Sequence, residues 1–266
     1  MTARSHTWLY AVAPGDADPA ALTGLGGVAG EHPRLIDGGG LAAVVGTVPG
    51  SDFDAPALQR HLEDPRWLEQ AVRAHHRVID TLARAGHTLP VRFATLYRDD
   101  RRVLGLLEEH RRAFRAAIER VADRTEWGVK AYLDAAHDHD RQEDDAGDDP
   151  APDRPGTAYL LRRRAARDRT AQVLEDAVER ARRVHQALSA FAGEAAEHPL
   201  QPPEATGIRD PMLLNGAYLV DRSRADELAR LVADLRDTHA GVLRVELTGP
   251  WPPYSFVDLP IAADEE

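Results

Sequence analysis

The 266-residue sequence contains no cysteine, which removes disulfide scaffolds, thiolate zinc sites and cysteine nucleophiles together. Lysine is almost missing as well: Lys130 stands alone, and arginine carries the rest of the positive charge. Aromatic residues make up only 6% of the chain, so the places where they gather are conspicuous. The longest apolar stretch, Leu41 to Val48, is interrupted by Gly46 and falls far short of the roughly 20 residues that cross a bilayer. There is no Gly-x-x-x-x-Gly-Lys phosphate loop and no Gly-x-Ser-x-Gly elbow, which excludes a P-loop nucleotidase and leaves Ser51, Ser189, Ser223 and Ser255 without a nucleophile's context. Basic excess is lacking too. The net charge is −11, the reverse of the footprint of a general nucleic-acid binder. Met1 to His6 lead straight into a strand-like run with no apolar leader, so a soluble, cytoplasmic chain without a membrane span is expected.

Hydrophobic residues supply 43% of the chain, enough for a sizeable core, and the length suits two domains better than one. The divider is chemical. From His137 to Pro155 there are eight acids against two arginines and almost no apolar side chain, a composition that self-repels and buries nothing. This predicts an N-terminal domain over 1–136, an acidic flexible linker over 137–155 and a C-terminal domain over 156–266.

In the first domain Trp8, Tyr10 and Val12 alternate as in a half-buried strand, and Arg34 to Ile36 and Leu41 to Val48 flank Asp37-Gly38-Gly39-Gly40 as a hairpin. Pro65 opens a helix with Leu68, Val72, His75, Ile79 and Leu82 on one stripe, closed by Gly86. A strand over Thr88 to Leu96, one helix from Asp99 to about Asp123 and a strand over Glu126 to Leu133 complete an antiparallel sheet with helices on one side. In the second domain, helix-forming sequence runs from Gly156 to about Glu197, with Leu174, Ala177, Ala181, Val184, Leu188 and Phe191 as its stripe. Unbroken, it would reach roughly 60 Å and outrun a small domain. Strand, helix and strand then follow over Met212 to Val220, through Leu228, Leu231 and Leu235, and over Val242 to Thr248, which suggests a ferredoxin-like arrangement. The whole is of the α+β class.

Gly24-Leu25-Gly26-Gly27-Val28-Ala29-Gly30 is glycine-rich but neither follows a strand closely nor opens a helix, so it reads as a flexible surface loop and not a dinucleotide site. His75 and His76 point about 100° apart on a helix and cannot easily share an ion; His75 falls on the apolar stripe as a core histidine would. His137 and His139 lie in the acidic linker without the glycine and closing glutamate of a calcium loop. No metal or cofactor is therefore expected. Arg162-Arg163-Arg164 reads first as a charged helix face. Arg92, between Val91 and Phe93, reads either as a structural ion pair or as an anchor for another chain, and Trp127 invites the same two readings.

Near the C-terminus, Leu247-Thr248-Gly249-Pro250-Trp251-Pro252-Pro253-Tyr254-Ser255-Phe256-Val257 packs three prolines and three rings into the end of a strand. Proline lacks an N–H and fixes φ, so the segment must leave its sheet as a stiff strap that presets Trp251, Tyr254 and Phe256, which read first as a cover over the open end of a core and second as a recognition surface. With Leu89 to Leu96, Glu126 to Tyr132, Tyr159 to Arg163, Ala217 to Val220 and the opening Trp8 to Val12, this run resembles the gas vesicle protein F/L family, in the family's order over nearly the whole chain.

The resemblance implies two α+β domains, the second a modified ferredoxin-like one, and an accessory protein of gas vesicle formation. Such a protein binds the small hydrophobic shell protein, and with it other gas vesicle accessory proteins, limits its aggregation and assists nucleation or early growth. It acts by binding and not by catalysis. Candidate partner or inter-domain contacts are Arg92, Trp127, Arg162, Arg163, Trp251 and Tyr254. Two other readings stay open: an α+β ligand-binding protein or enzyme that holds an anion with Arg92, Arg162 and Arg163, and a nucleic-acid regulator using the arginine-rich helix, against which the net charge argues.

Overall fold

The computed structural model describes residues 5–134 and 155–258. Its chain forms two compact units: the first runs to Glu126 and resumes at Pro250, and the second spans Trp127–Gly249. The expected acidic linker lies outside the described residues except for Pro155, which opens a helix.

The first unit is built on β1 (Ser5–Pro14), β2 (Arg34–Asp37) and β3 (Leu41–Pro49). The hairpin sequence does what its residues require. Asp37 accepts the Gly39 N–H at 2.8 Å, and Gly39 and Gly40 take φ of 72° and 88°, left-handed values that favour glycine. β3 pairs antiparallel with β2 and β1, and a bulge in β1 between Leu9 and Ala11 falls at Tyr10. Two short helices follow, α1 (Gly50–Phe53) and α2 (Ala55–Leu62), then α3 (Pro65–Ala85), begun by the Asp64 cap with Pro65 in its first turn. Val78, Ile79 and Leu82 of α3 bury against Trp8, Tyr10 and Val48, at about 1.5–3 kcal/mol per side chain. The stripe is rotated slightly from its expected centre: Ala71 and Ala74 are buried, and Val72 is 42% exposed.

Two expectations fail here. The strand over Thr88 to Leu96 is only two two-residue pieces, β4 (Leu89–Pro90) and β5 (Leu96–Tyr97), both paired with β1. Between them Arg92 to Thr95 form a turn closed by the Thr95 hydroxyl on the Arg92 carbonyl at 2.7 Å, with Ala94 at a φ of 64°. Pro90 has no N–H to extend a ladder, and the turn carries Thr95 O back to the Leu9 N–H at 3.0 Å. The helix expected from Asp99 to Asp123 is two, α4 (Asp100–Glu109) and α5 (Arg111–Val121), broken where His110 adopts φ −107° and ψ 19°. Val103, Leu107 and Phe114 are nevertheless all fully buried, because the break preserves the apolar face.

The strand expected over Glu126 to Leu133 does not complete the first unit's sheet: as β6 (Arg124–Leu133) it lies mostly in the second unit and pairs in that unit's sheet, followed by α6 (Pro155–Phe191), β7 (Glu194–Glu197), the short α7 (Pro203–Thr206), β8 (Met212–Asp221), α8 (Ala225–Thr238) and most of β9 (Leu243–Trp251). Strand order β7-β8-β6-β9, with a long helix after the first strand and another after the third, is the ferredoxin-like topology. Ala177, Ala181, Val184 and Leu188 of α6 pack with Leu228 and Val232 of α8 onto Val129, Leu214 and Val245 of the sheet.

The long helix stops earlier than its sequence suggests. After Phe191 the Gly193 N–H turns to the Leu219 carbonyl at 2.9 Å, and Glu194 to Glu197 pair antiparallel with Gly216 to Leu219 as an edge strand. Good helix formers are thus overridden by an open sheet edge. Leu174, expected on the buried stripe, is 41% exposed.

Candidate protein-interaction surface

The proline-aromatic run is a strap held on the first unit from Pro250 onwards. Glu126, itself buried, accepts the Ser255 N–H at 2.8 Å and the Ser255 hydroxyl at 2.7 Å. The Arg120 guanidinium donates to the Phe256 carbonyl, and the Phe256 ring is buried. Two charge-assisted clamps and a buried ring thus fix a segment whose prolines already restrict it.

What the strap presents outward is apolar. Trp251 is 42% and Tyr254 36% exposed, their rings set 5.7 and 6.4 Å from that of His76, with the tyrosine stacked on the imidazole. Val72 lies one turn from His76 on α3 and is also exposed. Desolvation, with the carboxylates of Glu126 and Asp80 nearby, pushes the Tyr254 hydroxyl well above the usual phenol range, so it stays neutral. Val72, His76, Trp251 and Tyr254 therefore form one ring-bearing patch on fixed supports, the composition that interface anchors favour.

The other expected contacts scatter. Arg92 is exposed, in the turn and not in a strand. Trp127 is half-buried against the core of the second unit. Arg163 is exposed on α6, and the Arg162 side chain lies outside the described residues. The first unit carries a cleft of about 280 Å³, but Asp16, Asp18 and His87 line it along with Leu82 and Thr88, and no arginine does. Among the described residues, no group of three or more histidines and acids is placed to hold a metal ion, and no helix is long and apolar enough to cross a membrane.

Two histidine networks brace the cores. The Trp8 indole N–H donates to His75 Nδ1 at 3.1 Å, so Nε2 carries the proton and donates to the Val91 carbonyl at 3.0 Å. Burial drives the His75 pKa down to about 4. In the second unit His185 meets the Tyr218 hydroxyl at 2.9 Å through Nδ1, and Glu197 and Ser189 each at 3.3 Å through Nε2. Both nitrogens are engaged in tying α6 to the β7–β8 pair, which leaves Ser189 in a brace rather than beside a free base. The sequence pointed to His75 through its place on the stripe; it held no comparable signal for His185, or for Glu126 as the strap's anchor.

The glycine-rich loop is also pinned. Tyr10 donates to the Glu31 carboxylate and accepts the Val28 N–H at 2.9 Å, and Glu31 accepts the Ala29 N–H at 2.8 Å. Desolvation, with Glu31 alongside, raises the Tyr10 pKa far above its normal value.

The family model for the gas vesicle synthesis protein GvpL/GvpF matches residues 6–258. Gas vesicle protein L of Streptomyces sp. (strain CB03234) is 42% identical over 89% of this chain and 87% of its own length. Gas vesicle protein F of the same strain is 29% identical over 95% and 99% of the two chains. The crystal structure of GvpF from Anabaena sp. PCC7120 superposes with a TM-score of 0.66, covering 98% of this chain and 99% of its own at 17% identity, which bears on the fold.

Proposed function

The chain belongs to the gas vesicle synthesis protein GvpL/GvpF family, and from that premise we propose that it binds the hydrophobic shell protein, limits its aggregation and assists nucleation or early growth of the vesicle. A subunit built to face gas exposes apolar surface before it assembles, and such surface aggregates unless a partner covers it. The observation that carries the reading is the strap: an exposed tryptophan and tyrosine on a clamped backbone lose little conformational freedom when they bind. The mode of action is binding without catalysis, with no cofactor. Higher identity to an L than to an F protein of one strain supports placing the chain with the L branch. Co-purification with a gas vesicle shell protein tests the proposal. A saturable complex that weakens by roughly tenfold or more in the Trp251→Ala/Tyr254→Ala double variant is expected; no complex, or one indifferent to those changes, contradicts it.

A further inference from the structure

We infer that the first half of α6 is a docking arm for a partner that presents an amphipathic helix with acidic flanks. The described residues between 163 and 176 are all exposed, over roughly 20 Å of helix, whereas the same helix is half sunk in its core from Ala177 onward. The face that packs the sheet through Ala177, Ala181 and Leu188 continues backward along the helix as Leu174, Thr170, Arg167 and Arg163, with Val173 at its border. Val173 and Leu174 are 36% and 41% exposed.

Charge identifies the occupant. Along this helix Arg164 pairs with Asp168 and Arg180 with Asp176 at one-turn spacing. Arg163 and Arg167 are one turn from each other instead, and neither has an acidic residue three or four positions away in either direction. Like charges at that spacing destabilise a free helix. Carboxylates beside an apolar stripe on a second helix would neutralise both arginines while covering Leu174 and Val173, a helix-against-helix mode of recognition. Nucleic acid is the weaker candidate, since it offers nothing to the apolar part of the face and the chain as a whole is acidic. The arm belongs to the second compact unit and the strap to the first, so the two are tested separately.

The full chain is titrated against two labelled synthetic helices, each with leucine along one face, one bordered by glutamate and the other by lysine, with fluorescence anisotropy as the readout. The glutamate helix should bind roughly tenfold tighter than the lysine helix and weaken as salt rises. Arg163→Glu/Arg167→Glu should reverse that preference, and Leu174→Asp should weaken both helices, with far-UV circular dichroism unchanged because every altered position is exposed. Equal affinity for the two helices, variants that bind like the parent, or displacement of the glutamate helix by a single-stranded RNA oligonucleotide would overturn the assignment.

Discussion

His75 is one residue through which pH should reach stability. Desolvation lowers its pKa to about 4, against an unfolded value near 6.5, with the Val91 carbonyl opposing the shift and His76 adding to it. Below the unfolded value the unfolded chain takes up a proton that the folded chain refuses. The contribution is therefore complete above pH 6.5 and drains away as pH falls towards 4, by about 3 kcal/mol in total. Urea unfolding at pH 7.5 and 5 should show the loss, and His75→Phe should flatten it while costing stability at both, because the Trp8 N–H is left unpaired. Gly27 gives a second test. A Cβ there would lie 1.9 Å from Glu31 Oε1 and 2.4 Å from the Tyr10 hydroxyl. Gly27→Ala should destabilise by about 1–3 kcal/mol in the same assay, whereas a merely flexible loop would tolerate it.

At the scale of elements, the strap's rigidity rests on a few clamps. Glu126→Gln offers one carboxamide oxygen where two carboxylate oxygens now serve Ser255, so about 1–2 kcal/mol of local stability should go. The Ser255 amide should then exchange its hydrogen roughly tenfold faster; unchanged protection would mean that the prolines alone hold the strap. Elements of this kind separate what sequence discloses from what it hides. The Asp37 to Gly40 hairpin and the start of α3 at Pro65 were legible because turn and cap chemistry is local. The break at His110 was not, since periodicity runs straight through it from Leu107 to Phe114. Nor was the switch at Gly193, where the pull comes from the β8 edge some 25 residues on. The strap was legible as a segment that leaves its strand, but its anchor was not: Glu126 and Ser255 are 129 positions apart, and nothing local links them.

At the scale of the molecule, the proline-aromatic end of the chain belongs with the first compact unit, while the ferredoxin-like βαββαβ series makes the second. The ring-bearing patch and the arginine-bearing arm thus fall on different units. The proposed function has the strap covering exposed shell-protein surface. The most direct measurement is light scattering from the shell protein diluted out of denaturant, with and without this chain at equal concentration. Scattering should be suppressed by the parent chain and return with Trp251→Ser/Tyr254→Ser. Scattering that rises equally in all three cases, or suppression that survives loss of both rings, would contradict it.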